Sequence, residues 1–225
     1  MTTTGWTPRP CARVAGAGYL LTIACGVFAE VFARQAVMVR DDPAATSANL
    51  LAHAARYRWG LAADEAMLVA YIVVTGLFYL LFKPGGRRLS LLAACFSLVG
   101  IAVLGAASML HAAPLVLLDP AAPDPQAQRL ALAALRLHGW GYQVADVFFG
   151  VYCVLIGVLA WRSRQVPRAL GALMVIGGLG YLASSVGPLL APDLSLLGNL
   201  SAVGGIAELA LTLWLLAFGV RATAW

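Results

Sequence analysis

LSLLAACFSLVGIAVLGAASMLH, at residues 89–111, is the stretch that decides the fold. It contains no aspartate, glutamate, lysine or arginine. It is also long enough for a helix that crosses the hydrocarbon core of a bilayer, which takes about 20 residues. A basic turn, KPGGRR at residues 83–88, comes directly before it. We therefore expect a transmembrane helix that starts at this turn.

Five further apolar runs of similar length flank this stretch, and proline, glycine or charged residues separate them. Each run is near the length of a membrane-crossing helix. The sequence therefore predicts an all-α, polytopic membrane protein: a bundle of six transmembrane helices that forms a single domain over residues 1–225. The predicted spans are residues 14–37, 60–82, 89–111, 138–161, 169–190 and 199–220.

The connections on one side of the predicted bundle are longer than those on the other. Residues 114–125, which begin and end with proline, mark a loop. Residues 49–57 have the pattern of a short helix that lies on the outer membrane surface. Residues 127–138 look similar, and we expect them to extend the fourth span outward.

The composition excludes a soluble domain and makes the lipid bilayer the expected partner. Hydrophobic residues make up 61% of the 225 residues and charged residues only 11%, whereas about 25% is usual for charged residues in soluble domains. The net charge of +5 would be compatible with nucleic-acid binding in a soluble protein. Here the basic residues cluster beside apolar runs, so we interpret them as topology signals and expect no nucleic-acid partner.

The distribution of basic residues predicts the orientation. Positive charge concentrates in short cytoplasmic segments of membrane proteins, which places both termini inside (N-in/C-in) and the chain in the bacterial inner (cytoplasmic) membrane. Nine of the fifteen basic residues fall on the side predicted to be cytoplasmic: Arg9, Arg13, Lys83, Arg87, Arg88, Arg162, Arg164, Arg168 and Arg221.

The N-terminal segment resembles a signal peptide, because Arg9 and Arg13 precede an apolar run. Glu30 and Arg34 interrupt the far end of that run, and no clear small-residue cleavage site follows. We therefore expect a retained first helix.

Neither the cysteines nor the histidines form a metal motif. The four cysteines contain no CxxC pair, and no His/Cys cluster has the spacing of a zinc site. We expect no metal, no other cofactor and no disulfide.

Ionisable side chains inside the predicted spans are the main candidates for function. Such groups are costly in a bilayer and normally face the bundle interior or a cavity. In the predicted orientation they all lie in the outer half or near the middle of the spans. This pattern predicts one polar cavity that is closed toward the cytoplasm. The groups are Glu30, Arg34, Asp64, Glu65, His111, His138, Asp146 and Glu208.

Helical spacing selects candidates within this set. His138, Tyr142 and Asp146 follow at steps of four and so share one helix face. The catalytic candidates are Asp146, Glu208, His138, Glu30 and Asp64. The substrate-binding candidates, most of them aromatic, are Tyr142, Tyr181, Trp140, Phe149, Tyr71 and Arg34.

Structural roles compete with these functional ones. Glu30 and Arg34 are four residues apart and can satisfy each other as an ion pair. Of Asp64 and the adjacent Glu65, one is expected to face water or to pair with a nearby arginine. His111 is expected to be an interfacial residue at a helix end. For Asp146 and Glu208 no neighbouring cation in the sequence offers such an explanation.

Several short motifs resemble those of a known family. They are Arg13-Val14-Ala15-Gly16, Gly26-Val27-Phe28-Ala29-Glu30, Arg58-Trp59-Gly60 followed by Asp64, Leu137-His138-Gly139-Trp140-Gly141, Val166-Pro167-Arg168-Ala169-Leu170-Gly171, and Gly205 through Glu208 with Leu213-Trp214-Leu215-Leu216. Together they span nearly the whole chain and resemble the bacterial membrane proteins grouped as domain of unknown function 4386. The resemblance implies a six-helix fold and no established activity.

The first functional hypothesis is a membrane-embedded enzyme that acts on a lipophilic, isoprenoid- or lipid-like substrate. A carboxyl group buried in apolar surroundings tends to keep its proton, so Asp146 or Glu208 can act as a general acid. Aromatic faces can then stabilise a cation, which is the chemistry of isoprenoid cyclisation or isomerisation. Neither a GxSxG motif nor a metal-ligand set points to hydrolysis.

Two alternatives stay open at the level of sequence. In a proton-coupled transporter of a small solute, Asp146 and Glu208 would be proton sites. The short chain without an internal repeat speaks against this, although a homodimer would supply a second copy of the bundle. In a structural or accessory membrane protein, the polar groups would only fix helix register.

Overall fold

The computed structural model describes residues 8–190 and 200–221, and these residues form helices and short connections with no β-strand. A π-helical segment, Phe28–Gln35, continues the first helix, and a short 3₁₀ turn, Lys83–Gly85, follows the third. The α-helices are α1 (Pro8–Val27), α2 (Pro43–Ala52), α3 (Ala54–Phe82), α4 (Arg87–Leu117), α5 (Pro125–Ser163), α6 (Arg168–Leu190) and α7 (Ser201–Ala217).

Five of the helical segments are long and apolar enough to cross a membrane, and α7, with 17 residues, is a shorter apolar helix. Large apolar side chains cover their outer faces: Val69, Val116 and Leu190 expose 65%, 85% and 80% of their surface. Apolar side chains exposed in this number on long apolar helices are expected where lipid surrounds the protein. The protein is therefore a membrane protein with several transmembrane helices. The five segments are Pro8–Gln35, Ala54–Gly85, Arg87–Leu117, Pro125–Ser163 and Arg168–Leu190.

The short surface helix predicted at 49–57 is wrong in its bounds. Helix α2 begins at Pro43, where the carboxylate of Asp42 accepts a hydrogen bond from the N–H of Ala45 at 2.9 Å and caps the helix. It ends at Ala52, because His53 leaves helical geometry (φ −118°, ψ 28°). Helix α3 starts directly afterwards at Ala54, six residues before the predicted span.

The loop predicted at 114–125 is shorter than expected, because α4 continues through Pro114 to Leu117. Proline removes a helical hydrogen bond, and such gaps are tolerated where neighbouring groups satisfy the backbone. Pro114 cannot donate to the carbonyl of Leu110, four residues before it, and the next carbonyl along, that of His111, accepts a hydrogen bond from the hydroxyl of Tyr57 at 2.6 Å. Helix α5 begins at Pro125, which confirms the predicted extension of the fourth span over 127–138.

Contacts between residues divide the chain into two units. Unit 1 comprises residues 1–21, 70–101 and 143–225, and unit 2 comprises residues 22–69 and 102–142, as far as these ranges are described. Helices α1, α3, α4 and α5 each contribute residues to both units. The prediction of a single transmembrane domain stays a prediction.

In unit 1, glycines let neighbouring helices approach closely. A Cβ atom on Gly157 of α5 would lie 2.6 Å from the carbonyl oxygen of Gly171 on α6, and one on Gly150 would lie 2.9 Å from that of Gly178. Only glycine fits such backbone contacts, which are common between helices in membranes. The turn before α4 also needs glycine, because Gly86 has φ 147°.

In unit 2, a small apolar cluster joins the chain just after the π-helical segment to α2, α3 and α5. It consists of the buried residues Val37, Leu50, Tyr57 and Leu135. Close packing of helix backbones in unit 2 also brings polar side chains near one another. Gly60 of α3 packs against Ala33, where a Cβ atom would overlap that of the alanine, and Gly141 of α5 packs in the same way against Ala107 of α4.

Candidate functional site

In unit 1, the carboxyl group of Glu208 is almost completely buried and accepts hydrogen bonds from three side chains. The hydroxyl of Tyr19 donates to Oε1 at 2.6 Å, and the thiol of Cys153 donates to the same oxygen at 3.3 Å. The hydroxyl of Tyr181 donates to Oε2 at 2.9 Å. Both carboxyl oxygens are thus occupied, and four different helices meet at this group. We call these four residues the Glu208 cluster.

Gly204 explains how the ring of Tyr181 reaches Glu208. Glu208 lies one turn after Gly204 on α7. A Cβ atom at Gly204 would overlap the Tyr181 ring, so the glycine provides the space that the ring occupies. A side chain at position 204 would therefore displace one of the three donors.

Aromatic rings surround the Glu208 cluster within unit 1. The ring of Tyr71 lies 5.6 Å from that of Tyr19 and stacks on Phe149 at 5.0 Å with an angle of 6° between the planes. Tyr152 packs against Tyr71 at 6.4 Å. Such ring faces carry partial negative charge and stabilise a nearby cation. The cluster therefore combines a carboxyl group with several π-faces.

Asp146 lies on α5 in the same unit and is half-buried. Within the described part of the chain it makes no hydrogen bond, in contrast to Glu208. Four other residues of unit 1 have buried polar side-chain atoms without a partner among the described residues: Gln143, Tyr152, Gln165 and Thr212. Unit 1 therefore holds one carboxyl group with three donors and one with none.

Unit 2 contains a second polar cluster, centred on Arg34 of the π-helical segment. Its guanidinium donates to the carboxylate of Glu30 at 2.7 and 2.9 Å and pairs with Oδ2 of Asp64. Arg34 and Asp64 are both buried, whereas the Glu30 side chain is 40% exposed. The close approach of Gly60 to Ala33 brings Asp64, one turn further along α3, beside Arg34.

Two histidines and a tyrosine complete this second cluster. Nδ1 of His111 lies 2.7 Å from Oδ2 of Asp64, and Nδ1 of His138 lies 2.8 Å from the carbonyl oxygen of Ala107. The two imidazole rings are 5.5 Å apart, and the Tyr142 ring lies 5.2 Å from His138. We call Glu30, Arg34, Asp64, His111, His138 and Tyr142 the Asp64 cluster.

The structure thus brings the predicted site residues together in two groups. Glu208, Tyr181, Tyr71, Phe149 and Asp146 belong to unit 1, whereas Glu30, Arg34, Asp64, His138 and Tyr142 belong to unit 2. Trp140 is 50% exposed and is not among the contacts of either cluster. The prediction of one shared cavity stays a prediction.

The structure also tests the structural roles that the sequence analysis gave to some of these side chains. The Glu30–Arg34 ion pair is confirmed. Of the two adjacent acids, Glu65 is the exposed one and accepts a hydrogen bond from Ser108 at 3.0 Å, whereas Asp64 is buried. His111 does not lie at a helix end, as was expected, because α4 continues to Leu117, and the residue is fully buried beside Asp64 and Tyr57.

Two contributors to the clusters escaped the sequence reasoning. Tyr19 and Cys153 were not distinguishable from ordinary apolar-span residues, since their contacts with Glu208 join positions far apart in the chain. His111 was among the ionisable groups that the sequence singled out, but it was not selected as a site residue. No group of three or more His, Cys, Asp or Glu side chains is placed to hold a metal ion in the ranges that the structure describes.

Comparison with known protein families shows to which family the chain belongs. The family model described as "Domain of unknown function (DUF4386)" matches residues 14–219, nearly the whole chain. The chain belongs to this family. The resemblance drawn from the short motifs is thereby confirmed, and the family description assigns no activity to DUF4386 proteins.

One relative extends the comparison to an archaeon. An uncharacterized protein of Archaeoglobus fulgidus is 24% identical over 121 residues, which cover 52% of this chain and 59% of that protein. The match thus spans little more than half the length of the relative. No solved structure matches the chain.

Proposed function

We propose that this DUF4386 protein is a membrane-embedded enzyme that isomerises or cyclises a lipophilic, isoprenoid-like substrate by carboxyl acid/base chemistry. The observation that carries the proposal is the Glu208 cluster, a buried carboxyl group with three donors beside stacked aromatic rings. A carboxyl group in an apolar bundle is costly to bury, and an apolar residue would pack there at lower cost if the group had no function.

The hydrogen bonds favour Glu208 as the base of the reaction. A carboxyl oxygen that already accepts from tyrosine and thiol donors is stabilised as an anion. Such an anion removes a proton from carbon next to a cationic centre and stabilises that centre electrostatically. The sequence-based hypothesis gave Asp146 and Glu208 the same role as general acids, whereas this proposal gives Glu208 the role of the base.

Asp146 is the acid in this scheme. It is half-buried and has no donor among the described residues, and a poorly solvated carboxyl group of this kind is best accommodated with its proton. Asp146 transfers this proton to one carbon of an alkene, which leaves a carbocation facing the aromatic rings. Glu208 then takes a proton from a neighbouring carbon, so that the double bond moves and no oxidant or reductant is consumed. Proton exchange with water restores both groups.

The proposal includes a topology. Helix α7 is short but within the range of about 17–25 residues that can span a bilayer. Together with the five longer segments it makes six spans with both termini in the cytoplasm, in the bacterial inner membrane. The basic turn Lys83–Gly85 and the residues that follow α5 then lie on the cytoplasmic side.

The test compares product formation by purified protein in nanodiscs. Wild type, Glu208→Gln and Asp146→Asn are incubated with squalene, geranylgeraniol and a bacterial isoprenoid extract, and products are separated by mass spectrometry. Loss of a general acid or base typically lowers the rate by about 100-fold or more. Glu65→Gln, which changes an exposed acid of unit 2, is the matched control and should retain activity. Equal product formation by all four proteins would refute the acid/base roles.

A further inference from the structure

A groove of about 230 Å³ lies between α5 and α6, close to the turn that joins these helices. Arg162, the last residue but one of α5, lines the groove at its turn end. The rest of its lining is apolar: Gly157, Val158, Trp161, Gly171, Ala172 and Val175. We call it the α5–α6 groove. All of these residues belong to unit 1, and none of them belongs to the Glu208 cluster.

Two glycines form the floor of the α5–α6 groove. A Cβ atom on Gly171 would lie 2.8 Å from the carbonyl oxygen of Gly157 and 3.1 Å from the backbone nitrogen of Trp161. The two helix backbones therefore touch, and the missing side chains leave a furrow along the contact. Trp161 is 48% exposed, so the furrow opens on the outer surface of the helices. The larger side chains that line it, those of Val158 and Val175, are hydrocarbon, so it suits a slender apolar occupant such as an acyl chain.

The turn end of the groove is strongly basic. Residues 162–168 contain three arginines and no acid: Arg162, Arg164 and Arg168. All three are exposed, and none forms an ion pair with a residue that the structure describes. The guanidinium of Arg168 lies over the Trp161 ring at 5.5 Å, which places it beside the groove that this ring lines. Such a contact leaves N–H donors of the guanidinium available, and these donors match a phosphate group.

The charge balance of unit 1 calls for an anionic partner at this end. Its ranges contain nine basic residues but only three acids, Asp146, Asp193 and Glu208. Asp146 precedes Arg162 by 16 positions on α5, which corresponds to about 24 Å along the helix. Further basic residues come close to the turn, because the backbone N–H of Arg221 donates to the carbonyl of Gln165 at 3.1 Å. An anion that approaches these arginines therefore meets little competition from carboxylates of the described chain.

We propose that the α5–α6 groove binds an anionic phospholipid. The acyl chain lies in the glycine-floored furrow, and the phosphate accepts hydrogen bonds from Arg162 and Arg168 at its turn end. Basic sites between transmembrane helices are suited to anionic lipid headgroups. A zwitterionic headgroup fits less well, because its own cationic group is repelled by the arginines. Trp161, between the two parts of the site, has the amphipathic ring that is common at the membrane–water interface.

The first test follows the thermal unfolding of wild-type protein in phosphatidylcholine nanodiscs as phosphatidylglycerol replaces part of the lipid. A ligand that binds only the folded state raises the unfolding midpoint in a saturable way. Phosphatidylglycerol should do so, whereas phosphatidylethanolamine with the same acyl chains should not. No saturable rise with phosphatidylglycerol, or an equal rise with both lipids, would refute the proposal. Soluble glycerol phosphate should leave the midpoint unchanged, and a rise of the same size with this compound would contradict a role of the acyl chain.

Arginine variants test where the headgroup binds. Arg162→Gln combined with Arg168→Gln removes both phosphate contacts and should reduce the rise with phosphatidylglycerol severalfold. The matched control is Arg87→Gln combined with Arg88→Gln, which removes the same charge from two exposed arginines of unit 1 outside the groove. This control should keep the rise. Equal losses in the two double variants would show that the lipid acts through general surface charge, and the proposed site would be wrong.

A groove-filling variant tests where the acyl chain binds. Ala172→Phe places a ring in the groove and should also reduce the rise severalfold, whereas Ile176→Phe, at a 56% exposed position of α6 outside the groove, should keep it. The midpoint in pure phosphatidylcholine shows whether each variant folds, and the arginine variants decide the matter if Ala172→Phe does not. An unchanged rise in folded Ala172→Phe would contradict the proposal. If this substitution instead separates a wild-type dimer into monomers, the groove is an interface between two copies of the chain and the proposal is wrong.

Discussion

At the scale of single residues, tyrosine and cysteine side chains decide what Glu208 can do. Tyr19, Cys153 and Tyr181 lie 189, 55 and 27 positions from Glu208 in sequence. A local motif cannot reveal partners at such separations. The sequence identified Glu208 itself because an acid in an apolar span demands an explanation. It could not identify the donors, because tyrosine and cysteine are ordinary components of such spans.

Removing one donor should show how much these hydrogen bonds contribute to the free energy of unfolding. In Tyr19→Phe the carboxyl group loses its shortest hydrogen bond, and leaving a buried group under-satisfied costs about 1–3 kcal/mol. The free energy of unfolding in mixed micelles should fall by that amount. Tyr152→Phe is the matched control, since the hydroxyl of Tyr152 is buried without a partner and its removal should be neutral or stabilising. Equal effects of both substitutions would contradict the hydrogen-bond assignment.

A buried and an exposed ion pair of unit 2 should differ sharply in how much they stabilise the protein. Arg34→Met leaves Asp64 buried without its cation, and breaking a buried pair in this way costs about 3–5 kcal/mol. Arg136→Met breaks the exposed pair with Asp41 and should cost at most about 1 kcal/mol. Unfolding of the two variants and wild type in mixed micelles measures both changes. A similar loss for both variants would mean that the Asp64 pair is not buried in the membrane.

At the scale of helices, the apolar pattern predicts which segments cross the membrane better than where they end. The fourth predicted span, 138–161, lies inside the much longer α5 (Pro125–Ser163). Charged and polar side chains interrupt the apolar residues of 125–137. The predicted span, which rested on hydropathy, therefore left this part of α5 out. Pro114 also led to a span that was too short, because proline usually ends a helix but is accommodated within α4.

Close glycine contacts between α5 and α6 lead to a prediction about how these two helices pack. Gly157→Ala places a methyl group against the carbonyl of Gly171 and should force the two helices apart, with a measurable loss of unfolding free energy. Gly139→Ala, on the same helix α5, meets no atom within 4 Å and should instead stabilise the helix by about 0.5–1 kcal/mol. If Gly157→Ala stabilises the protein as much as Gly139→Ala does, α5 and α6 do not pack as described.

At the scale of the whole molecule, the sequence predicted the membrane class and the helical architecture from composition alone, because hydrophobic residues at 61% leave no soluble alternative. It also identified most of the side chains that form the two clusters. It could not divide them between units, since four of the helices, α1, α3, α4 and α5, carry residues of both. Which residues on neighbouring helices meet depends on helix rotation and glycine contacts, and a single sequence does not encode these in a readable form.

The proposed topology has a direct test. Arg88→Cys and Asp119→Cys, each in a background without the four native cysteines, place exposed thiols at the two ends of α4. In intact cells a membrane-impermeant thiol reagent should label Asp119→Cys only. Arg88→Cys should react only after the cells are opened. The reverse pattern would overturn the predicted orientation, and labelling of both thiols in intact cells would show that α4 does not span the membrane.

The central claim is that Asp146 and Glu208 move protons to and from carbon, and deuterium incorporation tests it most directly. Wild-type protein in nanodiscs is incubated with a linear isoprenoid in heavy water, and the product is analysed by mass spectrometry. Because Asp146 exchanges its proton with solvent before it protonates the alkene, the product should carry deuterium at the protonated carbon. Glu208→Gln should form little labelled product. A product without deuterium, or equal labelling by the variant, would contradict the claim.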